Sequence, residues 1–566
     1  MMKGAFLLIL FTPLAFPGFF PFDVNLILAV SAAFVFISIS LFGQKTLYLP
    51  KAFILALGFI LCLQIFLILN GNVLAPQIWQ LQTIGYLAAA GLLITGISVH
   101  VSSLQSWMQL YMIAAALWSG IGLFVWLGGT AGFPLEIGSV TLAMAPALKI
   151  SGPFNQGNIF ATAIGFAWMF SHWLFMRSGK PEYALGTIFF TAMLFDTLSK
   201  GGWLTFVLAI TLLLFALKPT PSIIIKKIAP LWLAGITLGL VFLEFSQPAG
   251  EPDAFLSVVQ PAASLEARLL IWGSAFAEFL NAPWTGLGWG QFPVEFWSAN
   301  IHAQAWLADH FGLSNSLYGN AMSAHNILLQ VMAEAGVFAL LLLLWGIWRL
   351  LRANTALLVN GNSSRLPFAL AALAFLIQSQ FNISYTQPVP MLMAAFFSGI
   401  ALAPWLRRNS WRIKCHFIIR GSISTIALIS ILWAGQLTQQ WFSAEQAIRN
   451  FKIQNESSIR DLAAVAVTPR IGAIPLIWLG YNIATTQQHS RLLTWMLPYL
   501  KQSTHEIPFV DAYQVQFYAL TYSQQMAEAC QLGQVISARN LPGEKNERAY
   551  QQACEGKRIT SYEFGH

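Results

Sequence analysis

About thirteen apolar runs, each close to the length needed to cross a bilayer, constrain this chain more than any other feature of its sequence. They lie near 4–20, 24–43, 52–69, 80–98, 104–128, 157–176, 183–199, 201–217, 228–246, 326–348, 366–381, 387–406 and 417–436. Charge is too scarce for any other reading: Asp, Glu, Lys and Arg make up 9% of the residues and hydrophobic types 57%. A soluble domain carries roughly 25% charge. The expected fold class is therefore all-α, a polytopic membrane protein of about thirteen transmembrane helices. A cytosolic enzyme, a secreted domain and a disordered scaffold are excluded. The first run is interrupted by Pro13 and Pro17 and begins Met1-Met2-Lys3, like a signal peptide. No A-x-A-like cleavage site follows it, so it reads as an anchor.

Basic residues set the expected orientation. Every second connection is positive: Lys45 and Lys51; Arg177 and Lys180; Lys218, Lys226 and Lys227; Arg349, Arg352 and Arg365; Arg407, Arg408, Arg412 and Lys414. With Lys3 and Arg420 they share one side with a single acid, Glu182. This is a positive-inside pattern, with the N-terminus cytoplasmic and the C-terminus outside. It accounts for the pI near 9.3 as a topology signal rather than as a nucleic-acid surface.

Two segments are too polar to span, and both fall outside. The loop 247–325 carries Glu251, Asp253, Glu266, Glu278, Glu295 and Asp309 against one formal cation, Arg268. The tail 437–566 has 11 basic and 10 acidic residues, a soluble balance, with helical periodicity in Trp441–Phe451 and Ala512–Gln531. The chain thus divides into N-terminal membrane helices (1–246), an outer loop (247–325), C-terminal membrane helices (326–436) and a small outer α-helical domain (437–566). Cys62 and Cys415 read as free thiols. Cys530 and Cys554 share the outer tail, where an oxidising compartment would bridge them; two separate thiols are the alternative.

Four polar stretches stand out, all on the outer side, where polar groups beside membrane helices mark function. Ser151-Gly-Pro-Phe-Asn155-Gln-Gly-Asn158 opens the sixth helix, with Asn155 or Asn158 as a cap and free N–H groups suited to an anion; a turn without a ligand is the plainer reading. Asp196-Thr-Leu-Ser-Lys200-Gly-Gly-Trp203 forms a helical hairpin. Its Lys200 either pairs with Asp196 at i,i+4 or offers a cation to a phosphate. From Ser264 to Leu280, Leu265, Leu269, Trp272, Phe276 and Phe279 form one helical stripe, with Glu266, Ser274 and Glu278 off it. This reads as an amphipathic helix on the outer leaflet. Arg268 at the stripe's edge either snorkels or grips a pyrophosphate bidentately. His325 sits at the mouth of the tenth helix, with Gln330 and Glu334 deeper at i,i+4. Such a histidine is structural or a base. No H-x-x-x-H or H-E-x-x-H spacing occurs, so no metal site is expected.

Three features together resemble the O-antigen ligase and polymerase superfamily of bacterial inner membranes. They are Arg268-Leu-Leu-Ile-Trp272, Asn281-Ala-Pro-Trp-Thr-Gly286-Leu-Gly288-Trp-Gly290, and His325-Asn326 running to Glu334-Ala-Gly336. The resemblance covers roughly residues 150–400. Within that group, the soluble tail is similar to that of the pilin-glycosylating protein O-oligosaccharyltransferases. Lys200 departs from the pattern, which often has arginine there. The resemblance implies a GT-C-like membrane fold and a transfer, with no cofactor or metal, of a preassembled glycan from undecaprenyl pyrophosphate. The implied acceptor is Ser or Thr of an exported protein such as pilin, and membrane lipids are the surroundings. Arg268 and Lys200 would take the pyrophosphate and His325 the acceptor hydroxyl, as base or hydrogen-bond partner. Asn155, Asn158, Tyr385 and Gln387 are further polar candidates. Ligation to lipid A core and repeat-unit polymerisation are alternatives within the group. A transporter of lipid-linked oligosaccharide is a rival class, disfavoured by the lack of midplane charge and of any repeat.

Overall fold

The computed structural model describes residues 2–15, 22–43, 46–73, 76–130, 135–137, 140–142, 150–154, 156–246, 262–311, 321, 323–361, 363–414, 417–449, 480, 491–506, 510–538 and 544–557. The membrane part begins with α1 (Met2–Ala15), α2 (Phe22–Gly43), α3 (Lys51–Leu69), α4 (Pro76–Ser98) and α5 (Leu104–Thr130). It continues with α6 (Gly157–Ser178), α7 (Pro181–Asp196), α8 (Lys200–Leu217) and α9 (Ala229–Ser246), the last entered through a turn of π-helix at Ile224–Ile228. Two helices follow in the polar loop, α10 (Ala262–Asn281) and α11 (Phe292–Phe311). Then come α12 (Ile327–Asn360), α13 (Leu366–Gln378), α14 (Pro388–Leu406) and α15 (Phe417–Arg449).

Each of the thirteen apolar runs is a helix, as lipid demands: with no water to bond, a spanning backbone must satisfy its own N–H and C=O groups. Among the described residues, eight helices are long and apolar enough to cross a membrane, and four shorter apolar ones accompany them. The protein is a multi-pass membrane protein. Proline starts α4, α7 and α14, where its missing N–H costs nothing. At the centre stands α6, buried along almost its whole length from Gly157 to Leu174. Its His172 is buried and satisfied: Nδ1 donates to Trp168 O (2.8 Å) and Nε2 accepts from Trp232 Nε1 (2.6 Å). Helices α4 and α14 touch backbone to backbone, since a Cβ at Gly399 would lie 2.1 Å from Leu93 O.

Two short strand pairs lie in the connections of this otherwise helical protein. Thr46–Pro50 (β1) pairs antiparallel with Ser410–Lys414 (β4), Thr46 opposite Lys414, and Leu135–Ile137 (β2) pairs with Val140–Leu142 (β3). Strand pairing between segments more than 350 residues apart leaves no local trace. It does join two of the basic connections. Two more contacts gather that end of the bundle: Arg407 donates to Ile97 O and Val99 O, and Arg177 to Gly361 O. At the other end, Asn326 Nδ2 donates to Gln380 O, Gln378 Nε2 to Asn158 O, and Ile150 N to Asp196 O.

The last membrane helix does not stop at 436 but runs on to Arg449, since its polar continuation contains no glycine or proline to end it. Beyond it, α16 (Arg491–Glu506), α17 (Val510–Tyr522), α18 (Met526–Ala538) and α19 (Glu544–Cys554) pack in succession. Their core includes Leu493, Leu500, Phe517, Ile536 and Tyr550. The expected helix at 512–531 is broken by a turn at 523–525, where Gln524 has φ +59°. Cys530 and Cys554 form a disulfide between α18 and α19. Cys62 is free and exposed on α3, and Cys415 lies outside the described residues.

Candidate functional site

The site is built on the start of α12. Asn326 is its N-cap: the side-chain Oδ1 accepts from Leu328 N (2.9 Å) and Leu329 N (3.1 Å). Ile327 N donates to Ser379 O (2.8 Å), fastening this end to the turn after α13. His325 precedes the cap with φ +51°, a left-handed backbone that few non-glycine residues adopt. Such strain persists only where surroundings impose it. Here they do: Ala324 N donates to Gln330 Oε1 (2.6 Å), and His325 N to Ser323 Oγ (3.4 Å).

Gln330 is the hub that the sequence analysis named without a role. Its Oε1 also accepts from Tyr385 Oη (3.1 Å), and its Nε2 donates to Glu334 Oε1 (2.7 Å) one turn deeper. Glu334 Oε1 further accepts from Phe292 N (3.2 Å) at the start of α11. All three side chains are buried. The i,i+4 pair of polar residues inside an apolar helix was the available signal, because such groups are buried only with partners.

One turn further on, α12 is kinked at Gly336 (φ +72°, ψ −171°). The Pro283–Gly290 loop docks into that kink through its backbone. Leu287 N donates to Ala333 O (3.0 Å), Gly288 N to Glu334 O (2.9 Å) and Val337 N to Pro283 O (2.9 Å). This explains the glycines of the motif: a Cβ at Gly286 (φ +70°) would lie 2.2 Å from Glu334 C, and one at Gly336 would lie 2.5 Å from Trp284 O. Gln64, buried on α3, completes the junction. Its Oε1 accepts from Trp289 N and Trp79 Nε1, and its Nε2 donates to Thr285 O and Glu334 O. Nothing in the sequence pointed to Gln64, a single amide 270 residues from Glu334.

Helix α10 packs against α11 and α12, and here the expected amphipathic helix is corrected. On the apolar stripe Phe276 is exposed, while Leu269, Trp272 and Phe279 are half-buried. Off the stripe, Ser274 is buried and Glu278 is 1% exposed. Neither carboxylate oxygen of Glu278 has a hydrogen-bond partner among the described residues. Burial pushes its carboxyl well above the ordinary glutamate range, helped by the charges of Glu334 and Glu295.

The Arg268 guanidinium lies near enough to His325 for its charge to act on the imidazole. The imidazole is held below the ordinary histidine range, first by burial and then by the Arg268 guanidinium. Both causes favour the neutral form of the His325 ring, the form that can accept a proton. Neither side chain has a hydrogen-bond or ion-pair partner among the described residues. Tyr385 joins the same mouth, with burial the main cause of its raised pKa and with hydrogen bonds to Ser323 and Asn326.

The remaining candidates are placed less tightly. Leu198 (φ +51°) ends the hairpin turn, so Asp196 closes α7 while Lys200 opens α8. The i,i+4 spacing therefore brings no pairing. Lys200 is exposed, and the fully buried Asp196 carboxylate has no partner among the described residues. Gly202 serves packing, its Cβ position lying 2.8 Å from Ala161 Cβ, whereas Gly201 faces open space. The cap of α6 is Gln156, not Asn155 or Asn158. Asn158 is half-buried in the first turn and its carbonyl accepts from Gln378. Asn155 lies outside the described residues. Gln387 is the N-cap residue of α14, with no side-chain cap bond. No group of three or more metal-ligating side chains occurs among the described residues.

Comparison with curated proteins finds no match. Comparison with protein families matches residues 185–344 to the O-antigen ligase model, Wzy_C. That stretch holds Lys200, Arg268, the glycine loop, His325 and the kink of α12, so the similarity to O-antigen ligases falls on the part of the molecule that forms the site.

Proposed function

We propose that the protein is an O-linked oligosaccharyltransferase of the bacterial inner membrane. It moves a preassembled glycan from undecaprenyl pyrophosphate to Ser or Thr of exported proteins such as pilin. Transfer of glycans from lipid carriers is the chemistry of the O-antigen ligase family to which residues 185–344 match. What supports the reading is that the Arg268 charge acts on a half-buried His325 at the mouth of α12, within the stretch similar to O-antigen ligases. The soluble helical unit after α15 favours a protein acceptor over lipid A core.

In the proposed reaction the acceptor hydroxyl oxygen attacks the anomeric carbon of the glycan. The bond from that carbon to the pyrophosphate oxygen breaks, and the hydroxyl proton passes to the free imidazole of His325. Arg268 and exposed Lys200 offset the charge developing on the departing undecaprenyl pyrophosphate. Tyr385, whose hydroxyl is donated to Gln330, positions the His325 turn. Asn155, Asn158 and Gln387 are further polar candidates for binding the donor. The N-terminus is cytoplasmic and the C-terminal unit periplasmic, following the basic connections.

Mass spectrometry of exported proteins with and without the gene tests the reading: glycan should disappear from Ser or Thr. Loss of glycan from lipid A core, or of chain length from the polymer, would reassign the acceptor within the family. His325→Ala and Arg268→Ala should each abolish transfer at matched expression. Normal glycosylation by either variant removes that residue from the reaction.

A further inference from the structure

The far end of α12 carries a second cluster of cations. The Arg349 guanidinium lies 3.5 Å from the ring centre of Trp405, 4.7 Å from Trp348 and 5.6 Å from Trp345. Arg352 lies 5.2 Å from Trp348 on its own side. The two guanidiniums are near enough to repel one another. Neither has a hydrogen bond or an acidic partner among the described residues, and the Nε of Arg349 is buried and unbonded. Stacking occupies the face of a guanidinium and leaves its N–H edge free, and that edge matches two oxygens of a phosphate.

The position of the cluster identifies what can reach it. Arg349 stacks on Trp405, which stands 17 residues beyond Pro388 on α14, the helix that starts beside Tyr385 at the His325 mouth, so at 1.5 Å per residue the cluster lies on the order of 25 Å from that mouth. That is close to the thickness of a hydrocarbon core, which puts the cluster at the opposite headgroup level. Exposed Leu341, Leu344, Trp348 and Leu351 form one outward stripe leading to it, as spacings of three and four residues require. A phosphate over two arginines with an apolar track beneath is the shape of a lipid with a charged head and acyl chains. Trp345, Trp348 and Trp405 belong at that interface, where indoles have one wet edge and one apolar face.

We infer that Arg349 and Arg352, caged by Trp345, Trp348 and Trp405, bind the phosphate of an anionic glycerophospholipid in the leaflet opposite the His325 site. The lipid neutralises a pair of like charges that the chain itself leaves unpaired and holds the far end of the helix that carries the site.

Native mass spectrometry of the full-length protein, released from micelles containing phosphatidylglycerol and phosphatidylcholine, tests this. The parent should retain a phosphatidylglycerol that Arg349→Gln/Arg352→Gln loses, with apparent affinity falling about tenfold or more for lost charge-assisted contacts. Arg408→Gln, elsewhere on the same side, should keep it. If the double variant fails to accumulate, exposed Arg352→Gln alone should show a partial loss. Equal retention of phosphatidylglycerol by parent and variants overturns the inference. So does an equal loss of phosphatidylcholine, which would mean that only the apolar track binds. Displacement of phosphatidylglycerol by equimolar undecaprenyl phosphate would also overturn it, by assigning the cluster to the polyprenyl carrier.

Discussion

A methyl group added at Gly286 should disable the site from a distance, and the cost can be worked from the geometry. The residue has φ +70°, where an L side chain costs about 1–2 kcal/mol. Its Cβ would lie 2.2 Å from Glu334 C and 2.3 Å from Ala335 N, which are backbone atoms and cannot swing aside. The loop must lift by on the order of 1 Å to restore ordinary contact. Lifting breaks the bonds from Leu287 N, Gly288 N and Val337 N, each worth about 1–3 kcal/mol once its partners are left unsatisfied. The total is about 4 kcal/mol or more, in the range reserved for a few named mechanisms. Gly201→Ala is the matched control: its Cβ meets nothing within 4 Å, and the change should be neutral or slightly stabilising, by about 0.4–1 kcal/mol. Thermal unfolding of the detergent-solubilised protein, followed by the fraction that still elutes folded, should show Gly286→Ala melting at least a few degrees below the parent. Transfer activity should fall with it. A Gly286→Ala protein that melts and works like the parent would refute the close docking of this loop on the α12 kink.

Gln330→Leu should lower the turnover number more than it raises the donor KM. It leaves Ala324 N without its partner and takes one partner each from Tyr385 Oη and Glu334 Oε1, loosening the His325 turn at about 1–3 kcal/mol for the unsatisfied buried N–H; unchanged turnover in steady-state kinetics would count against this positioning role. Burial raises the Glu278 carboxyl well above the ordinary value of 4.5, so the folded protein binds a proton there more tightly than the unfolded chain. Its stabilising contribution is full below that value and is lost as pH rises from there through the folded pKa. Glu278→Gln should therefore melt closer to the parent at pH 5 than at pH 8, where it should be the more stable of the two, and a pH-independent difference would contradict the burial argument. Reducing the Cys530–Cys554 bond, which closes a loop of 24 residues, should destabilise the C-terminal helices by about 3 kcal/mol in the chain-entropy account. Limited proteolysis with and without reductant measures this, and equal digestion would mean the bond carries no stability.

The helices, the alternation of basic connections and the two residues on which the proposed chemistry rests are legible in the sequence, whereas the bond between Cys530 and Cys554, one of two readings there, is settled by the fold. The legible features owe this to a local rule that lipid imposes: every spanning segment must be apolar and bond its own backbone, and exceptions such as Arg268 and His325 stand out. The tertiary structure alone decided which polar groups meet. Gln64 reaches Glu334 from another helix, Pro283 to Gly290 enters the kink at Gly336, and β1 pairs with β4, all through contacts between segments far apart in the chain. Asp196 and Lys200, adjacent by count, are parted by the turn at Leu198. Glu278 shows the physical reason most directly. Its helix has an apolar and a polar stripe, but a stripe does not say which side is solvent. Beside a membrane an apolar residue such as Phe276 can stay exposed while the carboxyl is buried, and only the packing of α10 on α11 and α12 reveals it.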